Sequence, residues 1–172
     1  MEQEESDRFD RAVNFLIQDR GVRFSPKQSE FLDLVKKGVH ATWIGGGATT
    51  IQTAAAACFA VSQIKGDVIY LGQTGRRCRE WIALYEKWLA MFQDHPEFGF
   101  IVVKKDAREF VMIKNKKSGV EVRVSAFDAS APATNLRGLG TSLALIISET
   151  KLKPEHVPLL THCAFLIMCT RE

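Results

Sequence analysis

Apolar residues in this chain fall into two rhythms that alternate from end to end. Phe9, Val13, Leu16 and Ile17 recur at three- and four-residue steps, which predicts an amphipathic helix over 7–19, stopped by Gly21. Ser25, Pro26 and Gln28 then supply a capping serine, a first-turn proline and a third-position amide, the order that opens a helix ending near Lys37. Residues 39–44 are β-branched and aromatic enough for a strand, and the alanine-rich stretch 49–64 suits the helix after it. A short buried strand is expected over 67–71. Trp81, Leu84, Trp88 and Phe92 give 75–92 a core-facing helical stripe, so both tryptophans read as core and not as platforms for nucleic-acid bases.

After this helix the rhythm changes. The apolar run 100–103 is followed by two alternating runs, 109–114 and 120–125, across a Lys116-Lys117-Ser118-Gly119 turn, which predicts a β-hairpin on the edge of a sheet. Residues 143–147 are wholly apolar and end in Ser148 and Glu149. That is the pattern of a central parallel strand delivering polar groups at its carboxyl end, where open α/β sheets bind ligands. A short helix over 154–160 and a last strand over 164–168 complete the series. Alternation without repeat, low-complexity segment or linker predicts one three-layer α/β domain with a mainly parallel sheet. The helices of 1–38 precede a core of 39–172.

Between the first core strand and its helix lies the segment with candidate chemistry, Thr42-Trp43-Ile44-Gly45-Gly46-Gly47-Ala48-Thr49-Thr50. Glycines let the backbone approach a ligand closely, and the helix that follows offers free N–H groups and the positive end of its dipole to an anion. The shape suits phosphate. A nucleotide-hydrolysing loop also carries a lysine just before the hydroxyl residue that holds the metal, and here that slot is Ala48. The same three glycines suit a ligand-free turn equally well.

Composition narrows the field further. A net charge of +3 permits contact with nucleic acid without requiring it. Cys58, Cys78, Cys163 and Cys169 are scattered, and His40, His95, His156 and His162 are well separated. A zinc cluster or disulfide framework is therefore not expected, and the cysteines read as reduced intracellular thiols. The acidic N-terminal segment has no signal-length apolar run, and no stretch approaches a bilayer span, so no membrane partner is expected.

The order of these segments resembles the ATPase domain of the large subunit of viral DNA-packaging terminases, of tailed phages and especially of herpesviruses, across nearly the whole chain. Residues 24–30 are similar to the family's adenine-side glutamine segment, with Gln28 as the glutamine, and 43–50 lie where the family has its Walker A loop. Residues 68–77 resemble the strand and turn that follow in helicase-like ATPases, and 104–125 resemble the family's hairpin insertion. Asn135-Leu136-Arg137-Gly138 followed by 145–149 is similar to the Arg-Gly dipeptide and Walker B strand, and Met168-Cys169-Thr170 to the coupling motif. The resemblance implies a P-loop NTPase fold of the ASCE type. It implies ATP with Mg²⁺ as cofactors if the loop is occupied, bound through Gln28, Gly45, Gly46, Gly47, Ala48, Thr49, Thr50 and Ser148. In that frame Thr49 holds the metal and Glu149 is the ancestral general base.

Departures from the family pattern set the functional expectation. The early arginine and late lysine of the Walker A loop are Ile44 and Ala48, and the Walker B aspartate is Ser148. Each lost charge-assisted contact is worth about 1.5–3 kcal/mol. The expectation is therefore a degenerate, pseudo-ATPase module acting as a regulatory or structural subunit. The alternatives are an active motor fragment and a helicase-like nucleic-acid-binding domain. Partners implied are other terminase subunits, portal or capsid assembly proteins, and double-stranded DNA held weakly through Lys114, Lys116 and Lys117, with Lys104 and Lys105 nearby. The same lysines also suit a solvated edge protected against aggregation. Arg76, Arg77 and Arg137 are candidates for the arginine finger that ring motors of the family insert into a neighbour's site, although a basic start to an exposed helix reads the same way. No nuclease domain follows in these residues. The resemblance places the protein inside the host cell, in the nucleus if herpesvirus-like and in the cytoplasm if phage-like.

Overall fold

The structure, a computed structural model, describes residues 1–64, 66–106, 109–129, 143–149, 154 and 163–170. Helix α1 (Gln3–Asn14) starts earlier than its apolar stripe suggests, because Glu2 and Glu5 form a capping box, and it runs into a π-helical turn at Phe15–Asp19. Helix α2 (Pro26–Lys37) opens on the capping box that its sequence announces. Ser25 Oγ accepts from Gln28 N at 3.1 Å, and Gln28 Oε1 accepts from Ser25 N at 2.9 Å. The core then alternates as β1 (Ala41–Ile44), α3 (Ala48–Val61), β2 (Asp67–Gly72) and α4 (Gly75–Ala90). Five strands follow: β3 (Phe100–Asp106), β4 (Phe110–Asn115), β5 (Glu121–Asp128), β6 (Leu143–Ser148) and β7 (Cys163–Thr170).

One seven-stranded sheet has the order β1-β7-β6-β2-β5-β4-β3. The first five positions are mutually parallel, while β4 runs antiparallel to both β5 and β3. The expected 109–125 hairpin forms as β4 and β5, but its placement at the edge needs correction. β5 is interior, paired on one side with β2, and β3 takes the outermost place. Burial explains the exchange: Val122, Val124, Ser125 and Ala126 of β5 are all buried, whereas β3 is exposed after Phe100. Helices α3 and α4 pack side by side and both reach β5, with α1 and α2 outside α3. The expected 154–160 helix lies outside the described residues apart from Pro154.

Helix α3 is enclosed on every side. Residues 51–61 are all buried, including Gln52 and Thr53, and a helix apolar all round belongs inside a domain. Its polar groups are matched by the aromatic stripe of α4. Trp81 Nε1 donates to Gln52 Oε1 at 3.2 Å, and Trp88 Nε1 donates to Thr53 Oγ1 at 3.1 Å. The two tryptophans are therefore packing residues with polar tips. Trp43 of β1 joins the N-terminal helices to the sheet by donating from Nε1 to the Lys27 carbonyl at 2.9 Å and meeting Phe31 edge to face at 5.4 Å. Trp43→Ala is expected to cost about 3–5 kcal/mol of stability. In urea unfolding the midpoint should fall with little change in slope, and a change under about 1 kcal/mol would mean that α2 is held by other contacts.

Candidate functional site at the carboxyl edge of the sheet

Three parallel strands end at one crevice. Thr49 stands in the first turn of α3 after β1, Arg77 in the first turn of α4 after β2, and Glu149 immediately after β6. Strands β2 and β6 are neighbours with Leu71 opposite Ser148, and Glu149 N donates to the Leu71 carbonyl at 3.1 Å, which fixes Glu149 beside the start of α4. Ser148 is fully buried just before it. β7 separates β6 from β1, with Met168 opposite both Ser148 and Thr42. At roughly 4.8 Å per strand step, the glycine turn begins about 10 Å from the acidic strand end and must reach across β7.

The glycine turn is shaped by its own neighbours. Gly47 caps α3 with φ at +68°, in the left-handed region. A Cβ at Gly45 would stand 2.8 Å from both Lys27 Cγ and Trp43 Cζ2, so close packing excludes a side chain. Gly46 has neither constraint, since open space surrounds the position and its φ is not positive. Nothing within the fold demands glycine there. Gln28 fastens the turn from α2, because its Nε2 donates to the Gly47 carbonyl at 3.3 Å while its Oε1 completes the capping box. Both ends of the amide thus have partners in the chain. Thr50 is exposed and Ala48 half-buried at the head of the helix.

Arg77 closes the crevice. Its Nη2 donates to Thr49 Oγ1 at 2.7 Å and to Glu149 Oε1 at 3.1 Å, and its Nε donates to Glu149 Oε2 at 3.3 Å. This is a two-pronged grip on the carboxylate with a third contact to the hydroxyl. The Glu149 side chain is 8% exposed and that of Arg77 27%. The hydrogen bond to Glu149 keeps the guanidinium charged, raising its pKa above the usual arginine value against the opposing effect of burial. Tyr70 of β2 lies beneath, wholly buried and stacked on Trp81 at 4.6 Å. Its hydroxyl has no hydrogen-bond partner of normal geometry, and burial first, then Glu149, push its pKa well up. Periodicity gave no sign of Tyr70 or of Lys27 near the turn, since each reads simply as a strand or helix position.

The two oxygen-bearing groups that a divalent cation would need here, Thr49 and Glu149, are both held by the guanidinium. A divalent ion could reach them only by displacing the guanidinium, and its repulsion by Arg77 is set against its attraction to the Glu149 carboxylate. Among the described residues no other cluster of His, Cys, Asp or Glu suits a metal, and no helix is long and apolar enough to cross a membrane. Arg76 points away from the crevice, 84% exposed and paired with Glu80. Arg137 lies outside the described residues. Lys114, Lys116 and Lys117 are exposed around the β4–β5 turn. That turn precedes β5, so it sits at the amino edge of the parallel strands, the opposite end of the sheet from Arg77.

The chain matches no protein-family model and no curated protein sequence. Among solved structures it is similar to the large terminase of a thermophilic bacteriophage, with a TM-score of 0.60 at 16% sequence identity. The similarity covers 86% of this chain and 39% of that terminase, so the chain corresponds to well under half of the phage protein's length. At that identity the likeness is one of fold. The α/β architecture and its mostly parallel sheet are compatible with a P-loop-like domain.

The clamp generates a stability test. Arg77→Ala leaves Glu149 nearly buried without its cation and is expected to cost about 1–3 kcal/mol. Arg77→Ala with Glu149→Gln should recover part of that loss, giving a coupling energy above about 0.5 kcal/mol in a double-mutant cycle read by urea unfolding. Strict additivity of the two changes would mean that the pair is not formed in solution.

Proposed function

We propose that this chain is a terminase-like module of a viral genome-packaging machine whose own nucleotide chemistry is degenerate, acting as a regulatory or structural subunit beside an active packaging ATPase. The observation that carries the reading is the Arg77 clamp on Thr49 and Glu149, the hydroxyl and carboxylate that a working site would turn toward metal and water. Ala48 and Ser148 add to it, because the loop's lysine and the acidic strand's aspartate are both replaced. The fold likeness to a phage large terminase supports the module. ATP, if bound, meets the first turn of α3. Arg76, outward-facing at the same edge, is the better placed of the two described arginines to enter a neighbouring subunit's site.

Phosphate release with Mg²⁺ and ATP is expected to stay near background for the purified chain. Ala48→Lys should tighten ATP binding by about ten-fold or more while turnover remains poor. Wild-type turnover comparable with active motor ATPases, abolished by Glu149→Gln, sinks the reading. Co-purification with a packaging ATPase and a change in that enzyme's rate on mixing are the positive signs, and Arg76→Ala should weaken the rate effect.

A separate test concerns DNA. Weak, salt-sensitive, sequence-independent binding is expected through the lysines at the amino edge. Changing Lys114, Lys116 and Lys117 to Gln should lower the slope of log affinity against log salt by about 2–3. Filter binding at low and moderate salt reads this, and an unchanged slope would assign those lysines to a solvated edge.

A further inference from the structure

The outermost strand carries the main exposed apolar run of the fold. Among the described residues seven large apolar side chains are exposed, and three of them are consecutive on β3: Ile101 at 52%, Val102 at 49% and Val103 at 46%. β3 pairs with β4 on one side, and no described strand pairs with its outer side. The opposite edge is β1, only four residues long. A short strand blunts an edge, whereas seven residues with apolar side chains leave a template for pairing. Beside β3 lies a notch of about 120 Å³, lined by Leu89 and Ala90 of α4, by Phe100, Val102 and Val111 of the sheet, and by Lys105 and Glu86, which pair at 2.8 Å. A dry cavity of about 150 Å³ holds benzene, so this one has room for a single aliphatic side chain.

We propose that the outer edge of β3 binds an extended acidic segment of a partner protein as an added strand, with one of its alternate apolar side chains in the notch. Neither nucleotide nor the Arg77 clamp enters into this contact. Backbone hydrogen bonds supply the pairing, and alternate side chains of the added strand fall on the α4 side, where the notch is.

Charge selects the occupant. Exposed Lys104 closes the apolar run at one end, its Nζ 6.0 Å from the centre of the Phe110 ring. Lys116 closes the other, since its N donates to the Gly99 carbonyl at 3.0 Å and its side chain lies against Gly99. Glu86 and Glu97 are already engaged by Lys105 and Arg11, and Asp106 stands at the far end of the strand. A segment with carboxylates along one face therefore finds a cation at each end of the ladder. A second copy does not. Antiparallel pairing of two β3 strands about Val102 sets Lys104 of each opposite Phe100 of the other, next to the Gly99 where Lys116 lies, so like charges meet twice. Such lysines discourage self-pairing and admit an acidic strand. A bulge between Val102 and Lys104 bends β3, which keeps the added ladder short and its affinity modest.

The probe is a fluorescein-labelled seven-residue peptide of alternating valine and glutamate, blocked at both ends, titrated with the full chain and read by anisotropy. Saturable binding that weakens as salt rises is expected. The same peptide with lysine for glutamate should bind at least about ten-fold more weakly. N-methylation of one alternate set of its residues removes the N–H groups that the ladder needs and should cost about ten-fold or more, while the other set is tolerated. Lys104→Glu should weaken the glutamate peptide and strengthen the lysine peptide, each by about three-fold or more, a reversal that damage to the fold would not give. Equal binding of the two peptides, indifference to N-methylation in both sets, or no binding at high micromolar concentrations of the chain overturns the proposal. So does self-association of the chain alone in sedimentation that disappears in Val102→Lys, which would give this edge to a second copy.

Discussion

Burial of α3 on all sides governs the rest of the molecule, because a helix with no solvent face from residue 51 to 61 can meet a ligand only at its ends. Small side chains make this possible. Ala54, Ala55, Ala56, Ala57 and Ala60 let the sheet, α2 and α4 approach the same helix closely, and close packing leaves little tolerance for movement. Its first turn is then held at the carboxyl edge from two directions, by Gln28 on the Gly47 carbonyl and by Trp43 and Lys27 around Gly45. The turn is thus positioned by the packed core beneath it.

Charge placement within that crevice runs against one local preference. Arg77 lies in the first turn of α4, three residues after the capping Thr74, where a cation opposes the helix dipole by about 0.3–1 kcal/mol. Glu149 offsets the cost, and Arg77 in turn makes a carboxylate tolerable at 8% exposure. Neither charge is stable there without the other or a substitute for it.

Sequence reading reached the elements far better than the contacts. Helices and strands follow from local periodicity and caps, and the Ser25 and Gln28 capping box was legible because its two partners are three residues apart. The β4–β5 hairpin was legible for the same reason. Its place in the sheet was not, because edge position depends on whether a later strand or β3 pairs outside it, which no alternation within 109–125 records. Arg77 and Glu149 are 72 residues apart in sequence and meet only because β2 and β6 are neighbours with Leu71 opposite Ser148. Residues 68–77 alone give a basic helix start, and the inward turn of Arg77 against the outward turn of Arg76 is set by helix phase and by the partner across the strand ends. The substitutions at Ala48 and Ser148 were plain in the sequence, but the cation that joins their neighbours Thr49 and Glu149 was not.

The two ends of the sheet divide the candidate chemistry. Lys116 and Lys117 are presented by a turn that Asn115 builds, its Oδ1 accepting from Lys117 N and Ser118 N and its Nδ2 donating to the Glu97 carbonyl. The Arg77 crevice lies beyond the other end of strands about 20–27 Å long at 3.3–3.4 Å per residue. That distance exceeds two Debye lengths at physiological salt, so the lysines and the crevice scarcely influence each other through charge. Mechanical coupling between them would have to pass through β5, whose Val122, Val124 and Ala126 are locked in the core with β2 and α4 on either side. A packed strand transmits position but has no second arrangement to switch into. Groups bound at the two ends of the sheet would therefore act independently of each other unless a partner bridged them.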